Sequence, residues 1–120
     1  ERALHFYQKD LEIAEKLDDQ VGLAVTYNNI GEVHRTRGDH AQALQFFQKS
    51  VVIKEKLGNQ MSLAKSYNNI AYVYAAKGDL TQAVAYFEKS LAILEEIGEA
   101  ANAATVRKNL AAARAAAQEQ

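Results

Sequence analysis

The residues able to do chemistry in this chain are few: three histidines, a pair of matched serines and a recurring pair of asparagines. A helical zinc site needs two ligands four residues apart on one face, or an HExxH run. His5, His34 and His40 provide neither, so no metal site is expected. Cysteine is absent, which removes thiolate catalysis, disulfides and Cys-based metal binding. Ser50 and Ser90 occupy corresponding places on two helical stretches and lack the adjacent histidine that would activate a hydroxyl. There is no glycine-rich phosphate loop. These residues describe a chain that is not an enzyme and needs no cofactor.

The asparagines are the remaining candidates. YNNI occurs at Tyr27–Ile30 and again at Tyr67–Ile70, forty residues later. Asparagine is a poor helix former, yet it is spent twice at one place in a chain with clear helical periodicity.

Composition narrows the partner. The 14 Lys and Arg residues face 15 Asp and Glu with the signs interspersed, so there is no basic stripe of the kind nucleic acid or anionic lipid selects. No apolar run approaches the roughly 18 residues of a membrane span, and ERALHFYQKD is not an export signal. A cytoplasmic location is expected. The chain begins inside a helical pattern without an initiator methionine, as a piece of a longer protein would.

Proline is absent, and four of the six glycines, Gly38, Gly58, Gly78 and Gly98, fall twenty residues apart. The first three are followed by Asp or Asn, a glycine stop and then a polar helix cap; Glu99 after Gly98 is a weaker cap. Asp39–Gln42 and Asp79–Gln82 read as capping boxes that open two helices. Between the stops, apolar and ring residues recur with helical period, as in Leu23, Tyr27, Ile30, His34 and in Leu63, Tyr67, Ile70, Tyr74. Sliding the sequence by forty leaves about half of the positions identical in the first two blocks. The expectation is an all-α chain of about six helices, built from one repeated helix pair. At this spacing Tyr27, Phe46, Phe47, Tyr67, Tyr74 and Phe87 are core residues, with His34 filling the slot that Tyr74 takes in the next repeat.

These residues resemble the tetratricopeptide repeat family, whose pattern is an aromatic, Leu-Gly and Tyr on the first helix, then Ala, three residues and Phe on the second. The chain offers Tyr27, Ile30-Gly31, His34, Ala43 and Phe47, then Tyr67, Ile70-Ala71, Tyr74, Ala83 and Phe87. Glu55 and Glu95 replace the family's closing proline, and the longer period resembles the long-helix subclass of kinesin light chains, spindle-orientation adaptors and bacterial regulators. The resemblance implies a right-handed α-solenoid of antiparallel helix pairs whose concave face binds peptides. Ser50 and Ser90 then stand at the family's small-residue position between packed helices.

Read as a single array over 1–120, the chain divides into a second helix at 1–18, full repeats at 20–58 and 60–98, and a capping helix at 99–120. The first helix keeps apolar residues on both faces, Ala3, Leu4, Tyr7, Leu11, Ile13 and Leu17, a strip that would promote self-association. The last helix carries Arg107 and Arg114 where earlier repeats have aromatic or imidazole rings, as a polar terminal cap would.

Opposite the core face of each first helix lies a second arc. It contains Asn28, Asn29, Glu32 and Arg35 on one helix, Lys65, Asn68, Asn69 and Tyr72 on the next, and Lys108 and Asn109 on the last. Stacking would align the arcs into one groove. An asparagine amide both donates and accepts, so it can hold the backbone of an extended peptide whatever its sequence. The alternative is that the asparagines bond to each other or to nearby backbone and hold the repeats in register. Arg35, Lys65 and Lys108 outnumber Glu32, favouring a partner with acidic residues or a free carboxylate. The expected function is a protein-interaction module binding a peptide segment in this groove. A regulatory sensor segment of a larger signalling protein and an architectural spacer are the alternatives.

Overall fold

In a computed structural model the described residues, 2–119, form six helices. Glu1 and Gln120, the expected limits of the array, lie outside them. The helices are α1 (Arg2–Lys16), α2 (Gln20–Thr36), α3 (His40–Leu57), α4 (Gln60–Lys77), α5 (Leu80–Glu96) and α6 (Ala100–Gln118). The chain falls into two compact units, one through Gly58 and one from Asn59. In the first, α2 packs on α1 and α3; in the second, α5 packs on α4 and α6.

The turns are made by glycines in the left-handed region. Gly38, Gly58, Gly78 and Gly98 have φ between +73° and +86°, which costs an L side chain but not glycine. The turn after α1 is the exception: Asp18 occupies the equivalent place at φ +52°. Asp19, Asn59 and Asp79 then cap their helices by accepting from the N–H groups of Gly22, Ser62 and Gln82. Asp39 does not behave as its capping-box sequence predicts. Its side chain makes no cap bond, and its Oδ2 lies 3.4 Å from His34 Nδ1. Where the other unit has Tyr74, the imidazole offers this carboxylate a different partner.

Each full helix pair is drawn together by the same device. The Ser50 hydroxyl, fully buried, donates to the Ala24 carbonyl at 2.7 Å, and Ser90 donates to the Ala64 carbonyl at 2.8 Å. Only small side chains allow helix backbones so near, and the hydroxyl uses that approach for a bond. One turn on, Phe47 lies so close to Gly31 that a Cβ there would stand 2.7 Å from its ring. In the second unit Phe87 meets Ala71 in the same register, with both buried.

The outer edge of each pair is aromatic. Tyr27 and Phe46 pack at 6.2 Å with Lys49 Nζ over both rings; Tyr67 and Tyr86 pack at 5.9 Å with Lys89 Nζ over both. The ammonium covers ring faces that would otherwise meet water, and is attracted by them. His34 stacks on Phe46 at 5.6 Å and Tyr74 on Tyr86 at 5.7 Å, so the histidine does fill the aromatic slot. The core of the second unit joins Phe87 and Leu94 of α5 to Val106, Leu110 and Ala113 of α6.

The turns and the buried hydroxyls are open to separate tests. Asp18→Gly should raise stability by about 0.5–1 kcal/mol, while Gly78→Ala should lower it by about 1 kcal/mol, since one relieves and the other creates a left-handed L residue. Ser50→Ala and Ser90→Ala should each cost about 1 kcal/mol, and equally within error. Urea denaturation followed by circular dichroism checks all four; unequal serine effects would show that the two bonds are not equivalent.

Candidate functional site

On the first unit, α2 carries Asn28 and Asn29, both half-buried, and Glu32 and Arg35. Arg35 grips Glu32 through two bonds, 3.1 Å from Nε and 2.9 Å from Nη2. The sequence counts Arg35 towards a positive arc, but this pairing offsets its charge on the same helix. Lys65 and Lys108, both exposed, remain as the other cations of the arc.

In the second unit a side-chain bond links α4 to α6 across α5. Asn109 Nδ2 donates to the Tyr72 hydroxyl at 2.6 Å. The Tyr72 ring, 41% exposed, stands edge-on to Phe87 at 5.5 Å. A cleft lies on each side of this bar. The first, about 70 Å³, is lined by Met61, Lys65 and Asn68 of α4, Ser90 and Leu94 of α5, and Asn102, Thr105 and Val106 of α6. The second, about 260 Å³ and almost wholly apolar in character, is walled by Tyr72, Ala75, Ala112 and Ala116 with Phe87 and Leu80 behind them.

The polar groups of the first cleft differ in how they are occupied. Thr105 donates back to the Ala101 carbonyl at 3.3 Å, a bond within its own helix, and Asn102 reaches Glu99 at 3.5 Å. The side-chain Oδ1 of Asn68 is buried and has no hydrogen-bond partner. A buried carbonyl oxygen in that condition is an acceptor held ready for a donor, since leaving it unmade costs free energy. Asn69, the other half of the YNNI pair, is half-buried on the same helix.

The expected site residues therefore separate. Asn28, Asn29, Glu32 and Arg35 belong to the first unit; Lys65 and Asn68 line one cleft of the second, and Tyr72 and Asn109 form the bar and border the other. Lys108 stands beside Asn109 on α6. Asn109 bonds to a tyrosine hydroxyl, a partner that neither the groove reading nor the register reading names. Sequence reasoning does not place Met61, Leu80, Phe87 or Asn102 at the site. It gives Phe87 wholly to the core, although the ring edge also floors a cleft; the forty-residue match to Phe47 carries no sign of this.

The two serines singled out in the sequence are committed to structural bonds. Ser50 and Ser90 are buried and donate to main-chain carbonyls. Burial raises the Tyr27 phenol above its ordinary value, with Glu15 adding to the effect; burial raises Tyr74, with Tyr86 and Asp79 adding. Both phenols therefore stay protonated at neutral pH. Among the described residues no three His, Asp or Glu side chains gather as a metal site would require, and no helix is long and apolar enough to cross a membrane.

Several solved structures are similar to this chain. The apo form of RapI is 26% identical, with a TM-score of 0.81 over 88% of this chain and 38% of its own. BtubC (BKLC) from P. vanneervenii is 21% identical, with a TM-score of 0.84 over 93% of this chain and 46% of its own. The N-terminal domain of stress-induced protein-1 (STI-1) from C. elegans is 19% identical, with a TM-score of 0.59 over 88% of this chain and 95% of its own. The chain thus spans less than half the length of the first two. No curated protein matches it. The model of the tetratricopeptide repeat matches residues 1–56 and 62–120, stretches that include both serine bonds and the turns at Gly38, Gly78 and Gly98. The chain belongs to the tetratricopeptide repeat family.

Proposed function

We propose that this chain binds an extended peptide segment of another protein, and that the α4–α6 face of the second unit is its principal contact. Tetratricopeptide repeats mediate protein–protein interaction and form a non-catalytic module family. The observation that carries the finer reading is the unpartnered Asn68 Oδ1 in a cleft bordered by Lys65 and Asn102. A peptide N–H satisfies that oxygen, Lys65 attracts an acidic side chain or a free carboxylate, and the apolar cleft beyond Tyr72 takes an aliphatic or aromatic anchor. Asn69 and Asn109 add backbone contacts on this face, with Lys108 adding charge. Asn28 and Asn29 offer the same amide chemistry on the first unit. No catalysis is assigned to the chain. The apolar strip on α1 suits self-association.

The test uses opposite signs in one variant. Asn68→Ala removes a buried acceptor that lacks a partner, so it should leave stability unchanged or raise it by up to about 1 kcal/mol. Peptides selected on the wild-type chain from a random display library should bind the variant roughly tenfold more weakly, the loss of about one hydrogen bond. Isothermal titration and urea melts measure the two effects. Unchanged affinity for every selected peptide would remove Asn68 from the site and with it the main support for this face.

A further inference from the structure

The two clefts of the second unit together define a distance. On α4 they are lined by residues from Met61 to Asn68 and from Tyr72 to Ala75; on α6, by residues from Asn102 to Val106 and from Asn109 to Ala116. On either helix the midpoints of the two stretches are about nine residues apart. At about 1.5 Å of rise per residue, the cleft centres stand roughly 13 Å apart along the helices.

The two ends of that span differ in chemistry. At the smaller cleft Lys65 is exposed and Asn68 Oδ1 is buried without a partner. Arg35, Arg107 and Arg114 are each held by a glutamate, whereas among the described residues Lys65 makes no ion pair. Neither cleft has an acidic side chain in its wall. α4 and α6 both begin at the Lys65 end, so the positive ends of their dipoles add to the charge of the lysine. The larger cleft is apolar, with Leu80 and Phe87 behind Tyr72 and small alanine walls that leave room for bulk.

We propose, resting on the peptide site above, that its occupant is an extended segment of another protein with an acidic side chain and, four residues away, a large apolar one. An extended chain advances about 3.3 Å per residue, so four residues cover roughly 13 Å. Four is also even, and side chains two apart in an extended chain share a face, so both point into the groove. A separation of three or five turns one of them away. A helical segment needs about nine residues for the same distance, roughly two and a half turns, which puts the two side chains on opposite faces. The one inward residue between them meets the Tyr72–Asn109 bar instead of a cleft, so it must be small. Near the acidic residue a backbone N–H donates to Asn68 Oδ1.

Display sub-libraries test the spacing. Each fixes one glutamate and one phenylalanine at a single separation, from two to nine residues and in both orders, in otherwise random short peptides. Selection on the wild-type chain should enrich the separation of four at least about fivefold over three and five, as loss of one good contact requires. Lys65→Glu should abolish that enrichment and restore it where lysine replaces the fixed glutamate. Ala112→Trp, which fills the apolar cleft, should erase the demand for phenylalanine while glutamate is still selected. Lys65 and Ala112 are both exposed, and circular dichroism confirms the fold of each variant. Equal enrichment at every separation, with binding that Asn68→Ala weakens, overturns the spacing and leaves the peptide site standing. A maximum at seven overturns the extended conformation in favour of a helical ligand, since seven residues return a helix to the same face. If no sub-library is enriched while a fully random library still yields Asn68-dependent binders, the spacing falls alone; if neither yields binders, the peptide site falls with it.

Discussion

Close approach of two helix backbones is the constraint on which each unit depends. It is set by residues that have almost no side chain, Ala24 opposite Ser50 and Ala64 opposite Ser90, and it is used at once by a hydroxyl bonding to a main-chain carbonyl. With the helices at that distance, a phenylalanine one turn away has only Gly31 or Ala71 to lie against. The aromatic edge can then close over the seam, and a lysine can cover the rings. Bulk at the serine position would part the helices and undo the rest in sequence. The α4–α6 face inherits its geometry from the same constraint, because Phe87 both fills the seam and backs the cleft beside Tyr72.

The repeat made most of this readable. Helix limits follow from glycines that must adopt positive φ and from polar residues that follow them, and those requirements are local enough to see in a string of letters. The core stripe was equally plain, including His34, whose ring stacks where a tyrosine does in the other unit. Membership of the family was legible for the same reason: its signature is the set of small and aromatic positions that this packing demands.

What was not legible depended on choices between partners. A carboxylate after a glycine stop reads as a cap, yet Asp39 lies beside an imidazole that only the fold brings near. Arg35 and Glu32 are three residues apart and could have faced a ligand; instead they hold one another. Two asparagines of the expected groove have unlike surroundings, Asn109 bonded to Tyr72 and Asn68 with an orphaned oxygen, though nothing in their letters distinguishes them. Lys54 is buried where the neighbouring repeats place Ala14 and Leu94, which a charged residue conceals. Periodicity says which way a side chain faces; it does not say what it finds there.

The turn at Asp18 gives the chain a direction. Every other turn of this kind is closed by a residue at ease in the left-handed region, so the link between α1 and α2 is the one held against its own preference. α1 also buries less than the helices that follow: Ala14 is its one buried side chain among the described residues. Amide exchange along the chain would then not be uniform. α1 would open and close as a separate small event while the serine-clamped pairs stayed shut, so its availability to any second molecule is governed by a local equilibrium and not by the stability of the whole.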